Sequence, residues 1–314
     1  MHQQVDELNG HHHGHSHGSI NPSIITTKKG LWAVKWSFIG LMITFFFQVI
    51  IVIFTGSVAL LADTIHNLGD AITAIPLGIA FILALKKPSQ KFTYGYGRVE
   101  DLAGVIIVLI ILFSAVVAGY QAINRIIYPQ LIHNIWAVVV ASIIGFIGNE
   151  IVAIFRIRVG KEIGSAALIA DGHHARIDGF TSLAVLLGAI GVLLGFPLAD
   201  PIIGLLITLA ILKIAWDSIK TVFTRLLDGV EPEIFNEIQH SLSHVSGIKE
   251  IVNIKARWSG HQLYSEIFIK IDSQLGVIEA HDIIEEIEHE IMHHLKYISQ
   301  VIVDIEPDIH QADN

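Results

Sequence analysis

No cysteine occurs anywhere in the 314 residues. That absence removes disulfide frameworks, iron–sulfur clusters and thiolate zinc sites. Any metal must therefore be held by His, Asp or Glu, a donor set suited to borderline or hard divalent ions. Charge is also scarce, at 16% of residues against about 25% in soluble domains. The net charge of -9 excludes a generally basic nucleic-acid surface, so no nucleic-acid partner is expected. Much of the acidity lies after position 227, and 52% of the chain is hydrophobic. These proportions describe an integral membrane protein with a smaller polar part. The first 29 residues lack the charged-then-apolar design of a signal peptide. They carry a histidine tract from His11 to His17, broken by Gly14 and Ser16, unlike the unbroken run of an affinity tag. Residues 1–29 read as a flexible, metal-collecting tail on the cytoplasmic side.

Six apolar segments are long enough to span a bilayer, which takes about 20 residues each. They run roughly Leu31–Phe54, Ser57–Leu85, Val99–Ile127, Ile135–Val159, Ser165–Leu194 and Pro201–Leu226. Backbone polar groups in lipid must be satisfied within the segment, so each is expected to be helical. Pro76 falls inside the second and is a candidate kink. The first, third and fifth connections hold no Lys or Arg. Lys86, Lys87, Lys91 and Arg98 mark the second, and Arg156, Arg158 and Lys161 the fourth. Positive charge marks the cytoplasmic side, which places both termini in the cytoplasm and divides the chain into a transport domain at 30–227 and a cytoplasmic domain at 228–308. Residues 309–314 form a short tail.

After Asp228 the pattern is that of a soluble domain. "EPEIFNEIQHSLSHV" reads as a helix with Pro232 in its first turn. "IKEIVNIKARW" and "HQLYSEIFIKID" alternate apolar and polar residues, as strands do. "GVIEAHDIIEEIEHEIMHHL" sets Ile283, Ile284, Ile287, Ile291 and Leu295 on one helical stripe, and "SQVIVDIEP" reads as a last strand. The order is αββαβ, a small ferredoxin- or metallochaperone-like α+β domain. At about 80 residues such a domain is marginal alone and gains from dimerisation or metal binding.

Two stretches break the apolar pattern. "ADTIHNLGD" in the second span and "ADGHHARID" in the fifth both contain Asp-x-x-His-x-x-x-Asp. A helix turns about 100° per residue, which puts His66 and Asp70 within about 60° and 20° of Asp63. Asp171, His174 and Asp178 repeat the geometry. A lone ionisable group at membrane depth costs about 2.5–3.5 kcal/mol on insertion scales. Six of them are tolerable if the two stripes face each other around a divalent cation. Two aspartates and two neutral histidines cancel its charge and supply the four N/O ligands that Zn2+ takes tetrahedrally. His66, Asp70, His174 and Asp178 are therefore the expected ligands, with Asp63 and Asp171 as outer acceptors or entrance charges. Polar groups that only pack helices are usually Ser, Thr, Asn or Gln, not acids and histidines at matched spacing. His173 points about 100° away from His174 and is read as a neighbour. Asn149 and Glu150 are out of place in the fourth span. Glu150 could accept protons, pair with Arg176, or lie on the ion's path.

These motifs resemble those of the cation diffusion facilitators, a family of zinc and related divalent-metal/proton antiporters. The resemblance covers residues 11–308. It rests on the His-rich tail, "SVALLADTIHNLGD", "YGYGRVEDLAG", "ADGHHARIDGFTS", the αββαβ tail and its "EAHDI". It implies a homodimer in a bacterial inner (plasma) membrane that exports metal from the cytoplasm against protons by alternating access. It implies no catalytic cofactor, because the metal is cargo and a candidate regulatory ligand. It places the transport site on the same four residues. Some relatives carry a second site between spans two and three. Here "KKPSQKFTYGYGR" has no His, Asp or Glu, so that site is expected to be missing. In the cytoplasmic domain His281 is kept, but Asp304 stands where histidine is common, with Glu306 two residues on. His261, His281, Asp304 and Glu306 are the candidates for a cytoplasmic metal site. Zn2+ is the expected cargo. Fe2+, Mn2+, Co2+ and Cd2+ are compatible with the donor set, whereas Ca2+ and Mg2+ want more oxygen ligands.

"HEIMH" at 289–293 offers a competing reading as a membrane zinc metalloprotease. There His289 and His293 would bind zinc and Glu290 would activate water. The helical wheel argues against it, because both histidines face away from the isoleucine stripe, toward solvent. A metal-gated sensor is a third reading, but nothing in the chain resembles a signalling domain.

Overall fold

The computed structural model describes residues 22–55, 58–127, 135–196 and 199–308. The histidine tract at 11–17 and the tail at 309–314 lie outside the described residues. So do the side chains of Asp63, His66 and Asp70, although their backbone belongs to a helix.

Six long helices come first: α1 (Pro22–Thr55), α2 (Val58–Ala84), α3 (Arg98–Ile127), α4 (Ile135–Ile163), α5 (Ala166–Leu193) and α6 (Ala199–Leu226). Among the described residues five of them, α1 and α3 to α6, are long and apolar enough to cross a membrane. In α2 the described apolar stretch is Ala74–Ala84. Their outward faces are apolar. Phe46, Ile50 and Phe54 on α1, Leu109, Phe113 and Val116 on α3, and Leu206, Leu209 and Trp216 on α6 are all exposed. Water would penalise that surface and hydrocarbon would not. The exception is α5, which packs against α2, α3, α4 and α6. Its large exposed apolar residues begin only at Leu187, so its first four turns are enclosed by the other helices.

The α4–α5 hairpin explains that enclosure. It turns at Gly164, whose φ of 72° suits glycine. Ser165 then caps α5, accepting a hydrogen bond from the Leu168 amide at 3.0 Å. A Cβ at Gly172 would lie 3.0 Å from the Ile157 backbone nitrogen. The two helices pack closely only because that side chain is missing. One sequence expectation changes here. Arg156, read above as one of the charges marking the fourth connection, lies within α4 and is 1% exposed, so it marks no loop.

The remaining elements are α7 (Pro232–Leu242), β1 (Glu250–Ser259), β2 (Gln262–Asp272), α8 (Val277–His294) and β3 (Ile298–Asp308). The sheet order is β1-β2-β3. β1 and β2 form an antiparallel hairpin, and β3 returns parallel to β2 after α8. β2 alternates strictly, burying Leu263, Ile267, Ile269 and Ile271. These pack with Ile238 and Leu242 of α7 and with Ile287 and Ile291 of α8, so both helices cover one face of the sheet.

This domain is fastened to the membrane helices through polar contacts. Arg225 of α6 donates to the Gly164 carbonyl. It also donates to Glu231 at 2.8 Å and stacks 4.1 Å over Trp258. Trp258 Nε1 donates to the other oxygen of Glu231 at 2.9 Å. Arg98 pairs with Asp228, and the Gly260 amide donates to Asp101 at 3.1 Å.

Candidate metal centre

The polar stripe of α5 is fully enclosed. Asp171 is 0% exposed, His174 1% and Asp178 4%. His174 Nε2 lies 3.8 Å from Asp178 Oδ2, one helical turn on. The structure thus brings these two predicted ligands side by side. It gives Asp171 a different neighbour: Arg156 Nη1 of α4 stands 3.0 Å from its carboxylate and also reaches its carbonyl at 3.4 Å. Asp171 is the counter-ion of a buried guanidinium. Of the three readings of Glu150 the geometry selects the ion pair, since Arg176 Nη2 and Nε donate to its two oxygens at 2.8 and 3.2 Å. Asn149 is 2% exposed, and its Nδ2 meets no acceptor among the described residues. It sits against Gly179, one residue beyond Asp178.

On the α2 side only the helix and its described residues can be placed. Ala71 shares a buried cluster with Ala175 of α5. Ala74 lies in the main core with Ala170 and Ile177. α2 and α5 are also in direct contact.

The four cytoplasmic candidates are not brought together within one chain. His261 sits at the β1–β2 turn, 2% exposed. Its Nδ1 is 2.6 Å from Glu100 of α3 and its Nε2 is 2.9 Å from Thr27 Oγ1 of α1, with the Phe81 ring 5.7 Å away. Ser165 donates to the other oxygen of Glu100 at 2.5 Å. His261 thus belongs to the joint between domains. Asp304 pairs in register with Phe268, seven residues from His261 and about 23 Å along the strand. Asp304 and Glu306 alternate with Val303 and Ile305, which pack in the core, so they point from the face of the sheet opposite the helices. His281 is exposed on α8 beside Glu285. The "HEIMH" histidines are also exposed, with ring centroids 6.5 Å apart.

One cluster of metal-ligating groups was not anticipated. His244, just past α7, meets Glu290 and His294 near the end of α8, with ligand atoms all within 4.8 Å of one another. The sequence did hold a signal, two pairs of polar residues spaced i, i+4 (His240/His244 and Glu290/His294) at the ends of two amphipathic helices. What it lacked was the packing that joins them.

A family model described as the cation efflux transmembrane domain matches residues 34–227, and one described as the cation efflux protein cytoplasmic domain matches 230–308. A probable cation efflux system protein of Mycobacterium tuberculosis is 48% identical over 299 residues, 94% of this chain and 90% of that one. A cadmium, cobalt and zinc/H(+)-K(+) antiporter of Bacillus subtilis is 30% identical over 264 residues, 83% of this chain and 84% of its own length. A manganese efflux system protein of the same bacterium is 26% identical over 259 residues, covering 80% and 87%.

Proposed function

The chain belongs to the cation efflux family, whose members are transporters and not enzymes, and on that premise we propose that it moves Zn2+ out of the cytoplasm in exchange for protons. The ion is held between α2 and α5 by His66, Asp70, His174 and Asp178. The observation that carries this reading is the enclosed His174–Asp178 pair on a helix that packs against α2. Ala74, one turn beyond position 70, shares the core with Ile177, next to Asp178.

Charge accounting supports the assignment. Asp171 and Glu150 are each matched by an arginine, so they add no net charge to the site. Asp178 lies instead beside an imidazole. Two aspartates and two neutral histidines leave a bound divalent ion nearly neutral, which lowers the cost of carrying it through a low-dielectric middle. Histidine binds metal only when unprotonated, and its reference pKa near 6.5 lets protons compete at physiological pH. Protonation on the far side expels the ion, and the protonated site returns inward.

The accompanying architecture is six spans, both termini in the cytoplasm, a transport domain at 30–227 and a dimerising domain at 228–308. The protein works as a homodimer in a bacterial plasma membrane. Relatives are named for manganese and for cadmium, cobalt and zinc, and the N2O2 donor set also accepts Fe2+. The test is metal uptake by inverted vesicles, with Zn2+ competed by Mn2+, Fe2+, Co2+ and Cd2+. Asp70→Ala and Asp178→Ala are expected to abolish uptake. An imposed proton gradient is expected to raise it in the parent. Unaltered uptake in both variants overturns the site, and stronger competition by another ion reassigns the cargo.

A further inference from the structure

The helical face of the cytoplasmic domain carries a second concentration of donors, unconnected to the transport site. α7 and α8 both pack on one face of the sheet through Ile238, Leu242, Ile287 and Ile291. That packing brings the C-terminal ends of the two helices together. Glu290 Oε2 lies 3.5 Å from His294 Nε2 and 3.9 Å from His244 Nδ1. His240 lies one turn before His244, with ring centroids 4.5 Å apart, and its ring is 6.3 Å from that of His294. The side chains of His244, Glu290 and His294 are 46%, 30% and 32% exposed, so an ion can reach them from the cytoplasm and water can complete its shell.

We propose that His244, Glu290 and His294, with His240 as the fourth donor, form a binding site for a borderline divalent transition metal of the Zn2+ class. Zinc bonds of about 2.0–2.2 Å to nitrogen and oxygen set tetrahedral ligand separations near 3.3 Å. The two short separations here exceed that by a few tenths of an ångström, which side-chain rotation closes. Three imidazoles and one carboxylate leave a bound divalent ion with a single positive charge, at a place where two helices present their partially negative C-termini. The site joins α7 to α8. α7 begins one residue after Glu231, which is tied to Arg225 and Trp258. Metal binding therefore stiffens the helix that leads directly from the membrane domain into the sheet. It differs from the His261, His281, Asp304 and Glu306 set in every residue.

The competing explanation is electrostatic. Protonated histidines near helix C-termini, paired with Glu290, would give similar distances without any metal. The experiment uses the full chain in detergent with Zn2+ as the probe. Bound zinc per protomer is measured by equilibrium dialysis for the parent, His244→Ala/His294→Ala, and His289→Ala/His293→Ala. The last removes the same number of histidines from the exposed side of α8. The first double variant is expected to lose one equivalent and the second none. Glu290→Gln is expected to weaken that equivalent at least tenfold. In the parent, zinc is expected to protect His244 and His294, but not His289, from acylation by diethylpyrocarbonate, read by mass spectrometry. That measurement needs no substitution. Equal zinc binding in the parent and the His244→Ala/His294→Ala variant, equal loss in both double variants, or no selective protection overturns the proposal in favour of the electrostatic explanation. Uptake in vesicles reports on the transport site separately, so failure of one assignment does not entail failure of the other.

Discussion

Replacing Asp171 alone should do far more damage than replacing Asp171 and Arg156 together. The two charges stand 3.0 Å apart and are 0% and 1% exposed. At an effective dielectric of 20, unit charges at that separation attract by roughly 5–6 kcal/mol. Burying them costs several kcal/mol per ion, so the intact pair contributes little net stability. Asp171→Leu leaves the guanidinium in place without its counter-ion, and Arg156→Met leaves the carboxylate. Each should cost about 3–5 kcal/mol. At about 2–4 °C per kcal/mol for a domain of 150–250 residues, that is a fall of about 6–20 °C in melting temperature. The double variant Arg156→Met/Asp171→Leu removes both charges, keeps approximate volume and should melt within about 3 °C of the parent, with any residual loss coming from packing.

The assay is the fraction of monodisperse protein surviving a temperature ramp in detergent, read by fluorescence-detected size exclusion. The four proteins form a double-mutant cycle, and the expected coupling approaches the sum of the two single losses. Two results would refute the reasoning. Single variants that melt with the parent would show that the pair is hydrated. A double variant that falls by the sum of the singles would show that the residues act independently and that Asp171 serves something other than Arg156.

Two further outcomes follow from local geometry. Gly172→Ala places a Cβ 2.7 Å from Ile157 Cγ1 and 3.0 Å from its backbone nitrogen. Forcing α4 and α5 apart should cost about 1–3 kcal/mol, visible in the same melting assay and absent if the helices slide without loss. Glu231 provides a pH dependence. Burial works to raise its carboxyl, but the charge and hydrogen bonds of Arg225, together with the Trp258 indole, outweigh burial and hold it below its ordinary 4.5. Stability from a depressed carboxyl is fully present above the unfolded value and is lost as pH falls through the folded one. Glu231→Gln should therefore melt below the parent at pH 7, and the two curves should converge as pH falls through the folded value of the carboxyl, which lies below 4.5. A gap that does not narrow at all as pH falls below 4.5 would show that the effect is not the carboxylate's charge.

The α5 stripe was legible in the sequence because helical spacing alone puts Asp171, His174 and Asp178 on one face. The wheel did not reveal what that face meets. It set Asp171 on the ligands' face as an outer acceptor or entrance charge, and the structure pairs it with Arg156, a residue counted among the charges of the fourth connection. The i, i+4 logic works within a helix, and the α4–α5 pairing is a tertiary fact created by Gly172 and the turn at Gly164. The cytoplasmic elements lie within two residues or so of where the period-2 and period-3.6 patterns put them, since each buries one face against a single core. His261 shows the limit. Its type suggested a ligand, but its position at a hairpin tip directs it into the domain joint, against Glu100 and Thr27. The His244 cluster escaped for a related reason. The pattern "HEIMH" drew attention to His289 and His293, while the packing of α7 on α8 uses Glu290 and His294.

These placements share one physical rule. In an apolar bundle an ionisable group persists only where something answers its charge, and the kind of answer separates structure from transport. Asp171 and Glu150 are answered by guanidiniums, which keep their charge at any physiological pH. Those pairs are fixed in number and carry nothing away when an ion leaves. His174 and Asp178 answer each other with an imidazole, whose charge is optional near neutrality. Only such a pair can exchange a metal for protons without leaving a bare charge behind. A transporter built of Arg–acid pairs alone would be stable and inert. One built of His–Asp pairs alone would have nothing to hold the helices around the site when it empties. Here α5 carries both kinds, with Asp171 and Arg176 bound to α4 and with His174 and Asp178 between them in sequence or just beyond. The fixed pairs anchor α5 to α4 around the pair proposed to hold the ion.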